Sequence, residues 1–153
     1  MQKLSILNSK EKKKIFKILV DHYGFNGELD YAFFLSPKKK IYILSKEFAN
    51  FDESSLRIDT LGLYFGELKE TAIRLSIEGT QIVGPNCDKN IVEIAPEDLK
   101  KWMFGQELSI KNENNKKGFF IVKCGKDYLG AGSFKGDVLK NYVAKSRRIG
   151  TMD

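Results

Sequence analysis

Cysteine and histidine are scarce in this chain of 153 residues, and long apolar runs are missing altogether. The two cysteines, Cys87 and Cys124, lie far apart, and neither belongs to a CxxC or CxH pattern. That excludes a structural zinc site built on those motifs and fits a reducing compartment. The only histidine, His22, falls on a helix-like stretch and reads as a surface or helix-end side chain rather than a catalyst. HExxH, P-loop and GxSxG patterns do not occur. Cys87, in Pro85-Asn86-Cys87, has no paired base beside it and reads as a structural thiol rather than a nucleophile. No segment approaches the ~20 apolar residues that a membrane-spanning helix requires, and the first residues are too polar for a signal peptide. The expectation is a soluble cytoplasmic protein with no membrane partner, no metal, no cofactor and no catalytic residue.

Charge and apolar residues are both plentiful. Hydrophobic residues make up 42% and charged residues 30% of the chain, enough for a core beneath a highly charged surface. Lys and Arg outnumber Asp and Glu by 26 to 20, a net charge of +6. A basic balance favours polyanionic partners, although charge alone fits a merely lysine-rich soluble protein equally well.

Asn8 and Glu11 have capping-box spacing, and Ile15, Phe16, Ile18, Leu19, Val20 and Tyr23 follow at helical intervals before Gly24. This predicts a helix over about residues 9–23, with Lys10, Lys12, Lys13 and Lys14 on its exposed start. Tyr31–Leu35 and Ile41–Leu44 flank Ser36–Lys40 and predict a β-hairpin with a basic tip. Segments 54–68 and 71–83 read as strands, the second because Ile73, Leu75 and Ile77 alternate with Arg74 and Ser76. Tyr31, Phe33, Phe34, Tyr42 and Tyr64 are expected in the core. Gly84-Pro85-Asn86 marks a turn and the start of a composition shift, which places the domain boundary there: residues 1–86 and 87–153.

The second unit opens with a strand near Ile91 and a short helix from Pro96, whose apolar stripe is Leu99, Trp102 and Met103 and whose stop is Gly105. Leu108–Ile110 restarts a strand, 111–117 is a polar loop, and 118–124 and 128–134 form two arms around a Gly125-Lys126-Asp127 turn. The glycines of residues 129–136 superficially suggest a phosphate loop, but a dinucleotide fingerprint must open a helix in a βαβ unit, and this context is β-rich. Strand, short helix and glycine-dense strands together suggest a small mixed barrel.

Within this segment, Leu129, Gly130, Gly132, Gly136, Leu139, Lys140, Asn141, Lys145 and Arg148 follow a pattern of Leu-Gly-x-Gly, then Gly-x-x-(Val/Leu)-Lys-Asn, a short spacer and Lys-x-x-Arg. The pattern resembles the C-terminal PUA-like domain of the RsmF family, the NOL/NOP/Sun-type RNA 5-methylcytosine methyltransferases. With the opening from Ile91 to Leu108 the resemblance extends over 90–149. It departs at Tyr142-Val143-Ala144, where the family carries an aromatic or His-Tyr-Pro stretch. Residues 31–47 and 61–66 more loosely resemble the small domain that precedes PUA in archaeal ribosome-biogenesis factors. The resemblance implies an α+β protein: a small pre-PUA-like α/β domain followed by a PUA-like mixed β-barrel. It also implies the RNA-binding module standing apart from the catalytic domain, whose S-adenosylmethionine loop and Pro-Cys motifs have no counterpart here.

From Gly132 to Ile149 the cations Lys135, Lys140, Lys145, Arg147 and Arg148 face one acid, Asp137. Clustered cations neutralise phosphates, glycines such as Gly130 and Gly132 permit close backbone approach, and Asn141 and Tyr142 offer base reading and stacking. The same residues fit a structural role: glycines for barrel curvature, Lys140 and Asn141 for a turn, Tyr142 for core. The expected partner is structured ribosomal or transfer RNA, beside an RNA methyltransferase or ribosome-assembly factor. A protein-interaction scaffold is the alternative, and a small-molecule enzyme using the Gly-rich segment a weaker third.

Overall fold

Asn8 begins the first helix as its spacing predicts. In the computed structural model, which describes residues 4–49 and 62–148, Asn8 Oδ1 accepts from the Glu11 N–H at 2.9 Å and Glu11 Oε1 from the Asn8 N–H at 3.1 Å. Two donors that a helix start leaves open are thereby satisfied. Helix α1, Ser9–Tyr23, buries Ile15, Leu19 and Tyr23, one stripe at four-residue spacing. Gly24 stops it in the left-handed conformation at φ 64°, which glycine adopts at little cost.

The stripe packs on a five-stranded antiparallel sheet in the order β1 (Ser5–Ile6), β2 (Tyr31–Leu35), β3 (Lys40–Ser45), β4 (Leu63–Lys69), β5 (Ala72–Leu75). A short helix α2, Lys46–Ala49, follows β3. The β2–β3 hairpin carries the expected basic tip, closed by Ser36 Oγ accepting from the Lys40 N–H at 3.0 Å. Phe33 and Phe34 are buried as expected, whereas Tyr31, Tyr42 and Tyr64 are only half-buried. Of the strand expected over 54–68, residues 54–61 lie outside the described residues.

The strand expected over 71–83 ends at Leu75. Ser76 instead caps helix α3, Ile77–Val83, its Oγ accepting from the Gly79 N–H at 2.9 Å. The alternation misled because Ile77 is buried under either periodicity, and three alternating positions are too few to separate the two.

The second sheet has the order β6 (Ile91–Glu93), β8 (Phe119–Cys124), β9 (Asp127–Lys135), β10 (Val138–Asn141), β7 (Leu108–Ser109). Strands β6 and β8 run parallel and the other pairs antiparallel. The crossover between the parallel strands carries a 3-10 turn at Pro96–Asp98 and helix α4, Leu99–Met103. Trp102 of α4 is fully buried and donates from Nε1 to Leu129 O at 2.9 Å, capping the curved sheet. The result is the expected α+β architecture: an antiparallel sheet with helices, then a mixed half-barrel of PUA type.

Helix α3 joins the two. Val83 lies in the core of the first sheet with Leu19, Tyr23, Phe33 and Phe65, and Ile77 in the core of the second with Trp102, Leu129 and Leu139. Gly79 lies so close to β4 that a Cβ there would stand 2.1 Å from Phe65 O. Thr80, fully buried, accepts from the Gly130 N–H at 3.0 Å and donates to Ile77 O at 2.7 Å. His22 adds a second tie: half-buried at the end of α1, it donates from Nε2 to Phe119 O of β8 at 2.7 Å. No described helix is long and apolar enough to cross a membrane.

Thr80→Val keeps the shape of the side chain but leaves the buried Gly130 N–H without its acceptor. The substitution is expected to destabilise the protein by about 1–3 kcal/mol, measured by urea unfolding, with α3 and β9 losing amide protection together.

Candidate nucleic-acid interface

Register decides which residues of the β9–β10 hairpin share a face. Val138 pairs with Lys135 and Lys140 with Ser133, while Phe119 of β8 pairs with Ser133 from the other side. Side chains alternate along a strand, so Phe119, Ser133, Lys135 and Lys140 point one way and the buried Leu139 the other. Lys135 is exposed and Lys140 half-exposed. Tyr142 joins this face directly: its hydroxyl lies 2.9 Å from Ser133 Oγ, and its ring meets Phe119 edge-on at 5.7 Å. Beyond it, the 3-10 turn Lys145–Arg147 presents Lys145 and Arg147 to solvent.

The glycines of the motif lie inside. Gly130 is buried at φ 97° with Ile77 against it, and a Cβ on Gly132 would stand 2.9 Å from Leu139 Cδ1. Both serve close packing of β9 on α3 and β10 rather than an open approach. Asn141 is committed in the same way. Its Nδ2 donates to Trp102 O at 2.9 Å and Gln106 O at 3.0 Å, and its Oδ1 accepts from the Val143 N–H at 2.7 Å. Arg148 lies in the space that the missing side chain of Gly105 leaves free and donates from Nε to Val143 O at 3.3 Å. These two residues fix the course of the chain that carries Tyr142, Lys145 and Arg147.

That course brings Tyr142 and Arg147 against the first sheet. Arg74 of β5 stacks over the Tyr142 ring, its Cζ 4.8 Å from the centroid, and Arg147 Nε pairs with Glu78 of α3 at 3.0 Å. Between the sheets lies a cleft of about 380 Å³ lined by Lys40, Tyr64, Glu67, Arg74, Tyr142 and Arg147, among others. Lys40 Nζ sits 6.0 Å from the Tyr64 ring centroid. Glu67 pairs with Arg74 at 3.3 Å and also with Lys69. Burial alone would raise the Glu67 carboxyl, but the Lys69 hydrogen bond and the charges of Arg74, Lys69 and Lys40 hold it below the usual value. Burial, with the Glu67 charge, raises the Tyr64 phenol, which therefore remains protonated. Spacing gave no sign of Arg74, Lys40 and Tyr64 as site residues, because their link to Tyr142 exists only once the two sheets meet.

No group of three or more His, Cys, Asp or Glu side chains able to hold a metal occurs among the described residues. Cys87 is half-buried, and burial together with the charge of Asp88 pushes its thiol up to about 12, so it stays in the unreactive protonated form.

A strand, a short helix with a buried Trp, and a glycine-bearing hairpin ended by a committed Asn form one unit from Asn90 onward. Residues 89–149 match the family model described as the methyltransferase RsmF PUA domain. This segment is a PUA domain of the RsmF type. It coincides within a residue with the span on which the motif resemblance rested. Over 136 residues, 89% of this chain, the sequence is also 25% identical to the ribosomal RNA small subunit methyltransferase F of Shewanella oneidensis. The chain spans 28% of that relative's length. The family match is to the PUA domain, not to a catalytic methyltransferase domain.

Asn141→Ala removes three hydrogen bonds at the end of the PUA hairpin: one to Trp102 O of α4, one to Gln106 O just beyond it, and one from the Val143 N–H. A loss of about 2 kcal/mol, or a fall in Tm of roughly 4–8 °C, is expected in thermal unfolding.

Proposed function

We propose that this chain forms a non-catalytic RNA-binding unit acting in ribosomal or transfer RNA modification or ribosome assembly, beside a methyltransferase activity supplied separately. The single observation that carries the reading is the PUA domain with its outward hairpin face of Lys135, Lys140 and Tyr142, continued by Lys145 and Arg147. The Shewanella relative is named for its action on small-subunit ribosomal RNA, which favours structured RNA as the partner. Lysines on an exposed strand and turn suit phosphates, which position an RNA without reading its sequence. In this reading Lys135, Lys140, Lys145, Arg147 and Arg148 supply the charge and Tyr142 a ring face, while Gly130, Gly132 and Asn141 shape the surface from below. We place the domain division between residues 86 and 87, with residues 87–153 carrying the principal RNA contacts.

Three phosphate contacts at a slope of about 0.9 each imply that affinity falls roughly 40-fold between about 50 and 200 mM salt. Fluorescence anisotropy with folded ribosomal and transfer RNA fragments measures this. The variant Lys135→Glu/Lys140→Glu/Lys145→Glu alters side chains with no buried partner among the described residues and is expected to bind at least tenfold more weakly, with the salt slope reduced by about one per lysine. Equal binding by variant and wild type would move the contact to the lysines of α1. Absence of binding by either would leave the protein-scaffold reading in its place.

A further inference from the structure

The cleft between the two sheets combines features that a packing seam does not need. Its walls hold two tyrosines, a guanidinium stacked on one of them, and three cations, Lys40, Arg74 and Arg147, against two acids, Glu67 and Glu78. Nothing in the motif that identifies the PUA domain includes Lys40, Tyr64 or Arg74. We propose that the cleft receives one unpaired nucleotide of the bound RNA, its base against the Arg74–Tyr142 pair and the Tyr64 ring and its phosphate on Lys40 and Arg147; this rests on the RNA-binding reading above.

Size and charge both select a single nucleotide. About 380 Å³ falls at the small end of the roughly 300–1,000 Å³ typical of small-ligand sites, far too little for a helix of RNA. One cation in excess of the lining acids matches one phosphate. Bases splayed from a loop or end stack on aromatic rings and on guanidinium planes, and Arg74, held over the Tyr142 ring, offers its guanidinium in the same cleft as the Tyr64 ring. The tyrosines are already oriented: the Tyr142 hydroxyl is tied to Ser133 Oγ, and the Tyr64 ring lies 5.7 Å from Tyr42. Glu67, kept ionised by its basic neighbours, only accepts hydrogen bonds and so complements an exocyclic amino group on the base. The two acids count against an acidic peptide as occupant. The cleft also opens beside the lysines of the PUA hairpin, through Tyr142 and its partner Ser133, so that a structured RNA held there has a loop or end within reach.

The test compares a ten-nucleotide single-stranded RNA with the same strand annealed to its complement, using wild type and the variants Tyr64→Leu, Tyr142→Leu, Tyr64→Phe and Tyr142→Phe. Wild type is expected to prefer the single strand. The leucine variants should lose about 5- to 100-fold in single-strand affinity, and the phenylalanine variants, which keep the ring, should stay within about twofold. In unaltered protein, adenosine 5′-monophosphate should shift the NMR signals of Tyr64, Arg74 and Tyr142, a readout that needs no variant to fold. Leucine variants that bind as wild type does, a duplex bound as well as the single strand, or shifts confined to Lys135–Lys145 would each overturn the cleft assignment. If structured RNA still bound with steep salt dependence, the RNA-binding reading would survive that result. If wild type bound no RNA of either form, both would fall together.

Discussion

The hydrogen bond from the Gly130 N–H to Thr80 Oγ1 sits where α3 passes between the two sheets. A helix of seven residues cannot stand alone in water; this one is held because each end belongs to a different core, Ile77 to the second and Val83 to the first. Gly79 lets it lie on β4 without a side chain in the way, and the left-handed backbone of Gly130 turns an N–H toward Thr80. Ile121 of β8 completes the joint by packing among the residues of the first core. The two sheets are therefore held in one arrangement by buried groups, and the surface between them is defined by that arrangement.

What the joint positions is basic and aromatic. Residues 142–148 leave β10 along a course fixed by Asn141 and by Arg148 over Gly105. That course lays Tyr142 under Arg74 and Arg147 against Glu78, at the edge of the first sheet. The proposed RNA surface accordingly includes residues from both halves, although the PUA match covers only the second.

Local chemistry made much of this legible in the sequence. The capping box at Asn8, the stripe ending in Tyr23, the basic hairpin tip and the Trp102 helix each follow from neighbouring residues, and each formed as its pattern implies. The PUA motif was readable because its glycines and Asn141 occur at fixed offsets. Their roles were less so. Gly130 and Gly132 pack inward and Asn141 bonds the backbone of α4, which residue type alone does not distinguish from an exposed contact. Helix α3 was hidden by an alternation that Ile77 satisfies either as strand or as helix. The cleft was hidden for a different reason: the meeting of Arg74 with Tyr142 depends on how the two sheets dock, and no local pattern encodes it.

Photocrosslinking of the intact protein to a structured ribosomal RNA fragment, with the attached residues located by mass spectrometry, tests the central claim most directly. The account predicts adducts at Tyr142 and Tyr64 together with Lys135, Lys140 or Lys145, on a face shared by both sheets. Adducts confined to Lys10, Lys12, Lys13 and Lys14 of α1 would contradict it.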